Sequence, residues 1–201
     1  GYSFDTGPSL ITIPHIFENM FSEVGEKMSD HLELIKINPL FRYMFEDSNL
    51  IYDSNFSLIE KNVNNKNIKE LDNFYDFMTK ASKLYNLSDN TFFKNEILST
   101  PSPKDLINLI KSPFTLFFKK YSDLVNKTFV DDRLRKIFLR YPTYVGASPY
   151  KSQGILSIIP FMELSFGGWY VKGGLYRIIE SLEKILKSNG VKIILNKKVS
   201  S

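Results

Sequence analysis

The segment from residue 167 to residue 195 constrains the fold most, because a strand-like pattern, a helical pattern and a second strand-like pattern follow one another directly in it. The run GGWYV is typical of a strand, Gly173-Gly174 of a turn, and the residues from Leu175 to Ser188 of an amphipathic helix. One apolar stripe runs along this helix, formed by Leu175, Ile178, Ile179, Leu182, Ile185 and Leu186. Asn189-Gly190 then ends the helix, and VKIIL is typical of a buried strand. The apolar face of the helix must be buried. Because the helix lies between two strand-like runs, the sequence predicts a fold that mixes helices with sheet.

The polar side of the same helix carries two pairs of opposite charge. Glu180 with Lys184 and Glu183 with Lys187 are each four residues apart, in the order that stabilises a helix. Both pairs are therefore predicted to form on the exposed face.

The rest of the chain alternates short extended runs with helices. Pro14 is predicted to begin a helix that ends at Gly25. Between residues 32 and 59, the runs LELIKI, FRYMFE and LIYDS have the spacing of an antiparallel meander. Further helices are predicted from Ile68 to Tyr85, over most of residues 102–139 with Asp131 as one N-cap, and from Gln153 to Glu163. The fold class predicted from these elements is α+β.

Composition narrows the classes of function. The 201 residues include no cysteine, which excludes disulfides and thiolate chemistry, and His15 and His31 are too few and too isolated to predict a metal site. The formal charge of +4 comes without a basic stripe or a nucleic-acid-binding motif, so nucleic acid is not a predicted partner. Aromatic residues make up 14% of the chain, an excess that suits either a large apolar core or a tunnel for an apolar ligand. No apolar run is long enough for a transmembrane helix.

Four stretches together carry a resemblance to a known family. They are GYSFDTGPSLITIP, FVDDRLRKIF, YVGASPYKSQGILSIIP and WYVKGGLYRIIESLEKILKSNGVKIILNKKVSS. In order and spacing they resemble the bacterial-type phytoene desaturases and related carotenoid oxidoreductases, within the flavin amine oxidase-like superfamily. The resemblance covers essentially the whole chain and is weakest over residues 60–100. The stretch RYPTYVGASPYKSQGILSIIP resembles the branch that acts on hydroxylated carotenoids.

The resemblance implies a two-lobed flavoprotein that uses FAD to desaturate a carotenoid, an isoprenoid polyene. It places residues 1–31 and 165–201 in the FAD-binding lobe and residues 32–164 in a lobe that binds substrate and membrane. The N-terminal G-x-G-x-x-G motif of the family does not occur in the chain. The sequence is therefore expected to be an internal piece of such an enzyme and to be inactive alone. Two alternatives stay open: another flavin oxidase or saturase of the superfamily, and a non-catalytic isoprenoid- or membrane-binding remnant.

Three places are implied by the resemblance to contact FAD. Gly7, Pro8 and Ser9 would form a backbone wall against the flavin, although an ordinary turn accounts for the same residues. Gly173 and Gly174 would let the start of the following helix approach the cofactor or the substrate tunnel, although a tight turn has the same composition. Val199 would lie at the strand end that meets adenine, where a plain buried valine is the alternative.

The candidate catalytic residues are Asp131, Asp132 and Arg135. On a helix, both carboxylates are close enough in sequence to share the Arg135 guanidinium. Removal of hydride from an allylic carbon leaves positive charge on the polyene, which a carboxylate would stabilise while it accepts the adjacent proton. The position matches an acidic–arginine motif suspected of this role in the family. The alternative is a helix cap with a surface ion pair.

Residues 103–121 are the candidate membrane-associating segment. Apolar residues lie there beside Lys104, Lys111, Lys119 and Lys120, as in helices that lie in a membrane interface. A pair of core helices has the same pattern, but carotenoids dissolve in membranes, and this favours membrane contact. The expected location is cytoplasmic, peripheral on the inner face of the cell membrane.

Overall fold

The structure is a computed structural model that describes residues 1–2, 4–46, 48–52, 68–89, 103, 107 and 118–199. Helices and short antiparallel strands alternate along the described residues, which confirms the α+β class. The strands are β1 (Leu34–Lys36), β2 (Phe41–Met44), β3 (Asn49–Tyr52) and β4 (Trp169–Val171). The helices are α1 (Pro14–Glu23), α2 (Met28–His31), α3 (Ile68–Ser88), α4 (Tyr121–Thr128), α5 (Asp132–Leu139), α6 (Ile158–Phe166) and α7 (Tyr176–Ser188), with 3₁₀ turns at Tyr141–Val145 and Gly154–Ser157.

The two ends of the chain form one compact unit, residues 1–37 with 168–201. β1 pairs antiparallel with β4, with Leu34 opposite Val171, and Ile11 bridges Trp169 through two backbone hydrogen bonds of 2.8 and 2.9 Å. The core beneath is small and consists of Ile11, Phe21, Met28, Leu32, Val171 and Ile185. The apolar stripe of α7 faces this core, with Ile185 buried in it and Leu175, Ile178 and Leu182 packed against it, as amphipathic burial requires.

Residues 38–167 form the second unit, which has the larger core. β2 and β3 make a hairpin, with Phe41 opposite Tyr52. Aromatic rings dominate the centre: Phe138 lies 4.5 Å from Phe129 and 4.9 Å from Phe77, measured between ring centroids. Buried aromatic pairs at these separations contribute packing energy beyond the apolar area that they bury.

Most of the local helix predictions are confirmed where the structure describes the residues, but the helix predicted from Gln153 opens with a 3₁₀ turn, Gly154–Ser157, and is α-helical from Ile158. α1 begins at Pro14 and is followed by Gly25 at φ +78°, and α3 and α7 begin within one residue of their predicted starts. Asp131 is the N-cap of α5 as predicted. The first part of the helical region predicted over residues 102–139, residues 102–117, lies almost wholly outside the described residues. None of the described helices is long and apolar enough to cross a membrane.

The predicted meander of three strands is wrong in its first member. FRYMFE and LIYDS contribute the β2–β3 hairpin, but β1 pairs with β4 and belongs to the other unit. The pairing follows the packing, because Leu34 stands opposite the fully buried Val171 in that core. The compact units accordingly divide after residues 37 and 167, whereas the sequence analysis divided the chain after residues 31 and 164. The assignment of the two units to cofactor and substrate stays a prediction.

The buried strand predicted after α7 is also wrong. Residues 191–199 have no strand structure and are all exposed, and Val199 retains 92% of its accessible surface. A strand is stable when a neighbouring strand binds its backbone N–H and C=O groups, and among the described residues none pairs with this segment. Of the two charge pairs predicted on α7, Glu183–Lys187 forms at 2.6 Å, but Glu180 contacts Arg177 at 2.7 Å instead of Lys184.

Candidate functional site

The predicted cofactor segment Gly7-Pro8-Ser9 lies on the surface of the first unit. All three residues are exposed, and Gly7 has φ +122°, a conformation that favours glycine. A side chain at Gly7 would meet nothing within 4 Å. The backbone here is therefore accessible to a ligand.

Gly173 and Gly174 make the turn between β4 and α7. Both have positive φ, +88° and +96°, and the Gly174 N–H donates to the Val171 carbonyl at 2.9 Å. The Asp5 carboxylate accepts the Leu175 N–H at 3.0 Å, and a Cβ at Gly174 would lie 3.0 Å from the same oxygen. A side chain at position 174 would be strained by the positive φ and would push the Asp5 carboxylate away from its present position.

Asp5 therefore links two of the predicted cofactor segments. It precedes Gly7 by two residues and binds the backbone where α7 begins. Asp5 lies within the GYSFDTGPS stretch that carries the resemblance. Because its partner is 170 residues away, no local pattern could have revealed the contact.

Asp131 is fixed at the start of α5 by Arg133. Its Oδ1 accepts the Arg133 backbone N–H at 2.8 Å and the Arg133 Nε–H at 3.1 Å, and its Oδ2 lies 2.6 Å from Arg133 Nη2. The side-chain hydrogen bond from Arg133 is the largest of the effects that hold the pKa of Asp131 below its ordinary value. This carboxylate is therefore ionised near neutral pH.

The predicted sharing of Arg135 by two carboxylates is wrong. Asp132 instead forms an i,i+4 ion pair with Lys136 at 2.8 Å, with about two-thirds of both side chains exposed. Arg135 donates its Nε–H to the Phe129 carbonyl at 2.7 Å. The reason is the extended N-cap, which aims the Asp131 side chain at the second residue of the helix rather than the fourth. The catalytic role of Asp131, Asp132 and Arg135 stays a prediction.

The side chain of Glu70, on α3, binds the backbone of the two residues that precede α5. Its Oε1 accepts hydrogen bonds from the backbone N–H groups of Val130 at 2.7 Å and Asp131 at 2.9 Å. Glu70 itself is buried, with 3% of its surface accessible. Two N–H groups that precede the helix are thereby satisfied within the protein. The sequence analysis missed this residue, because an acidic residue in the first turn of a helix ordinarily needs no distant partner.

A second polar cluster, which the sequence analysis also missed, surrounds Arg140 in the second unit. The guanidinium carbon lies 4.5 Å from the centroid of the Phe41 ring and 4.6 Å from that of Tyr141. Its Nη2 donates to the Tyr43 hydroxyl at 3.0 Å and to Glu163 Oε1 at 3.3 Å. We call Phe41, Tyr43, Arg140, Tyr141, Tyr144 and Glu163 the Arg140 cluster.

Glu163 is the buried carboxyl group of this cluster. Its residue has no accessible surface, and Oε2 accepts a hydrogen bond from the Tyr144 hydroxyl. Burial raises the pKa of Glu163 above its ordinary value, while the hydrogen bond from Tyr144 and the charge of Arg140 oppose the rise. One sequence signal could have found it: Glu163 is the sole charged residue in the apolar stretch from Gln153 to Tyr170.

The predicted membrane segment is described at a few positions. Phe118 exposes 73% and Ile107 exposes 51% of its surface. Most of the segment, including Phe117, lies outside the described residues. Membrane contact therefore stays a prediction.

No family model matches the chain. Curated relatives do match, over nearly its whole length. It is 29% identical to a 4,4'-diapolycopene oxygenase of Methylomonas sp over 100% of the chain and 41% of the relative. It is 29% identical to a zeta-carotene-forming phytoene desaturase of Myxococcus xanthus over 96% of the chain and 37% of the relative. It is 30% identical to a 1-hydroxycarotenoid 3,4-desaturase of Flavobacterium sp. (strain P99-3) over 99% of the chain and 41% of the relative.

These matches confirm the resemblance predicted from the sequence. The relatives that cover the chain are carotenoid and diapophytoene desaturases and oxygenases at 22–30% identity, which supports a phytoene desaturase-like family. The chain spans between 37 and 41% of the length of the three relatives described.

Proposed function

We propose that the protein that carries this chain is an FAD-dependent carotenoid desaturase. It removes a hydride and a proton from neighbouring carbons of an isoprenoid polyene and so introduces a C=C bond. The observation that carries the proposal is the match to carotenoid desaturases over 96–99% of the chain, at 29–30% identity. The test is whether a carotenoid reduces the flavin of the intact protein under anaerobic conditions.

FAD is the cofactor of the proposed reaction, and the first unit is its proposed lobe. The exposed backbone of Gly7, Pro8 and Ser9 and the open space above Gly7 fit a bulky group. Gly173 is exposed as well, whereas Asp5 lies against Gly174 and Val199 lies outside any strand. Gly7 to Ser9 and Gly173 would therefore hold the group through their backbones. When bound, FAD supplies the hydride acceptor that the protein side chains lack.

The second unit is the proposed substrate lobe, and Asp131 is the carboxylate proposed to stabilise the developing polyene cation. Its pKa is held low by Arg133, so it carries negative charge at neutral pH, although the same shift makes it a weak acceptor for the proton. Glu70 and the N-cap bond fix the position of the carboxylate. Asp132 adds charge in the same turn, and Arg135 ties that turn to the carbonyl of Phe129.

Membrane contact through residues 103–121 would place the enzyme where its substrate dissolves. The proposed location is the cytoplasmic face of the cell membrane. Phe118 supports the contact because a ring that is 73% exposed gains free energy by entering lipid, at roughly 25 cal/mol per Å² of apolar area.

Phe118→Asp is expected to weaken the binding of the intact protein to anionic liposomes about tenfold, because a carboxylate cannot enter the acyl region as a phenyl ring does. Sedimentation with liposomes measures the bound fraction. Met44→Asp is the matched control, since Met44 is 79% exposed in the same unit but lies outside the segment. Equal binding of both variants and the unsubstituted protein would remove Phe118 from the membrane contact.

Oxygenation of a carotenoid is the second candidate function. The specific observation that favours it is the match to the Methylomonas oxygenase over 100% of the chain at 29% identity. Mass spectrometry of the product distinguishes the two reactions. A desaturase product has lost a pair of hydrogen atoms, whereas an oxygenase product has gained oxygen and forms when dioxygen is present.

A further inference from the structure

The Gly7-Pro8-Ser9 segment is attached to the β4–α7 part of the first unit on both of its sides. Before the segment, Asp5 Oδ1 accepts the backbone N–H of Leu175 at 3.0 Å. After it, Ile11 and Trp169 exchange two backbone hydrogen bonds, at 2.9 and 2.8 Å. The segment between these two attachments is itself exposed, so its position is set by the attachments and not by burial.

The two attachments differ in what maintains them. The bonds between Ile11 and Trp169 join backbone to backbone, so they do not depend on either side chain. The other attachment is made by the side chain of Asp5, an exposed residue whose partner is 170 residues further along the chain. A substitution at Asp5 therefore releases one end of the segment and leaves the other end attached.

The start of α7 also depends on Asp5. Leu175 is the N-cap residue, but the helix has no side-chain cap bond of its own and no acidic residue in its first turn. The Asp5 carboxylate supplies the missing acceptor from outside the helix, and its negative charge suits the positive end of the helix dipole. Gly174 leaves the room for it, since a Cβ there would lie 3.0 Å from Asp5 Oδ1.

Backbone N–H groups around this helix start are engaged within the protein. The Gly174 N–H donates to the Val171 carbonyl at 2.9 Å, and the Arg177 N–H donates to the Gly174 carbonyl at 3.2 Å. An anionic ligand such as a pyrophosphate would meet the negative charge of Asp5 here and would have to displace it to reach the Leu175 N–H. The turn therefore suits an uncharged part of a ligand.

We propose that Asp5 is a positioning residue of the FAD site, which holds the Gly7-Pro8-Ser9 segment beside the turn at Gly173 so that both face an uncharged part of the cofactor. Asp5 is two residues from Gly7, and Leu175 is two residues from Gly173, and two residues of chain span at most about 7 Å. A surface that is fixed beforehand binds a ligand without the cost of ordering a loop. The inference rests on the proposed function, because FAD is the cofactor of that reaction.

The variants Asp5→Ala and Asp5→Asn test the proposal in the intact protein. The protein is prepared without FAD, and the dissociation constant for FAD is measured from the quenching of flavin fluorescence on titration. Asp5→Ala is expected to raise this constant about fivefold, the value of one hydrogen bond. Asp5→Asn is expected to bind FAD as the unsubstituted protein does, because its amide oxygen can still accept the Leu175 N–H.

Glu33→Ala is the matched control. Glu33 forms an exposed ion pair with Lys172 at 2.8 Å, which also joins distant parts of the first unit next to the same turn but does not bind the start of α7. Its loss is expected to leave the dissociation constant for FAD unchanged. Hydrogen exchange of the Leu175 amide, measured without FAD, is expected to be faster in Asp5→Ala and unchanged in Glu33→Ala.

An unchanged dissociation constant in Asp5→Ala would overturn the inference, as would an equal loss of affinity in Asp5→Asn, which would assign the effect to the charge. Tighter binding in either variant would also overturn it, because Asp5 would then repel an anionic part of FAD from the helix. If FAD binding follows the expected order but no carotenoid reduces the flavin, the proposed reaction fails and the role of Asp5 is supported. If the unsubstituted protein binds no FAD, both fail.

Discussion

Replacing Glu163 with alanine is expected to lower the free energy of unfolding by about 3 kcal/mol, because it leaves the charge of Arg140 without its buried partner. The value is at the lower end for a broken buried ion pair, since 30% of the Arg140 side chain reaches solvent. Tyr144 loses the acceptor of its hydroxyl in the same variant. Urea unfolding followed by circular dichroism measures the change.

The matched control is Asp76→Ala on α3, in the same unit. Asp76 forms an i,i+4 ion pair with Lys80 on an exposed helix face, with 54% of the Asp76 side chain accessible. Its loss is expected to cost about 0.5 kcal/mol or less. If Glu163→Ala proves as mild as Asp76→Ala, the Arg140 cluster does not stabilise the second unit.

The raised pKa of the same carboxyl group, Glu163, makes the stability of the folded protein depend on pH in a definite direction. The folded-state pKa of Glu163 is raised above the ordinary value of 4.5, so the folded protein binds this proton more tightly than the unfolded chain does. The stability contributed by the group is complete below that ordinary value and is lost as the pH rises through the folded-state pKa. Glu163→Gln is expected to remove this component of the slope. Parallel pH profiles for the variant and the unsubstituted protein would contradict the assignment.

The largest effect on activity is expected at Asp131. Asp131→Asn should lower the rate of single-turnover flavin reduction by carotenoid on the order of 10²-fold, because it removes the negative charge that we propose stabilises the developing cation. Asparagine caps a helix as well as aspartate does, so flavin content is expected to stay unchanged, while loss of the ion pair with Arg133 is expected to lower the melting temperature slightly. Stopped-flow absorbance of the intact protein in liposomes measures the rate.

Two further variants separate chemistry from position. Asp123→Asn removes an exposed carboxylate from the first turn of α4 and is expected to leave the rate unchanged. Asp132→Asn tests the neighbouring carboxylate, which is 67% exposed and paired with Lys136. If the Asp131→Asn and Asp132→Asn variants both reduce flavin at the rate of the unsubstituted protein, then Asp131, Asp132 and Arg135 form only a helix cap with surface ion pairs.

The sequence predicted those features that depend on neighbouring residues. The apolar stripe of α7, the start of α1 at Pro14 and the N-cap at Asp131 each depend on residues close by in the sequence, so the sequence pattern was enough to predict them. The partner of β1 was predicted wrongly, because the packing of Leu34 against Val171 joins residues far apart in sequence. The segment 191–199 is apolar enough for a strand, but its pattern cannot report whether another strand lies beside it.

The candidate site was likewise predictable where it depends on neighbouring residues and not where it depends on contacts between residues far apart in sequence. Gly7 and Gly173 were found because positive φ at a turn calls for glycine, wherever the turn lies. Glu70, which binds backbone 60 residues away, and Glu163, which meets Arg140 23 residues away, belong to no short motif. Arg133 was missed because helical spacing favoured Arg135, whereas the extended N-cap brings Asp131 to the residue two positions on.

The central claim is that the intact protein transfers hydride from a carotenoid to FAD. The most direct measurement mixes the purified intact protein with a carotenoid in liposomes without dioxygen and follows the absorbance of oxidised flavin. We expect this absorbance to be lost in step with the appearance of a polyene that has one more conjugated double bond. Flavin that stays oxidised with both hydroxylated and hydrocarbon carotenoids, in a protein that retains FAD and its melting temperature, would contradict it.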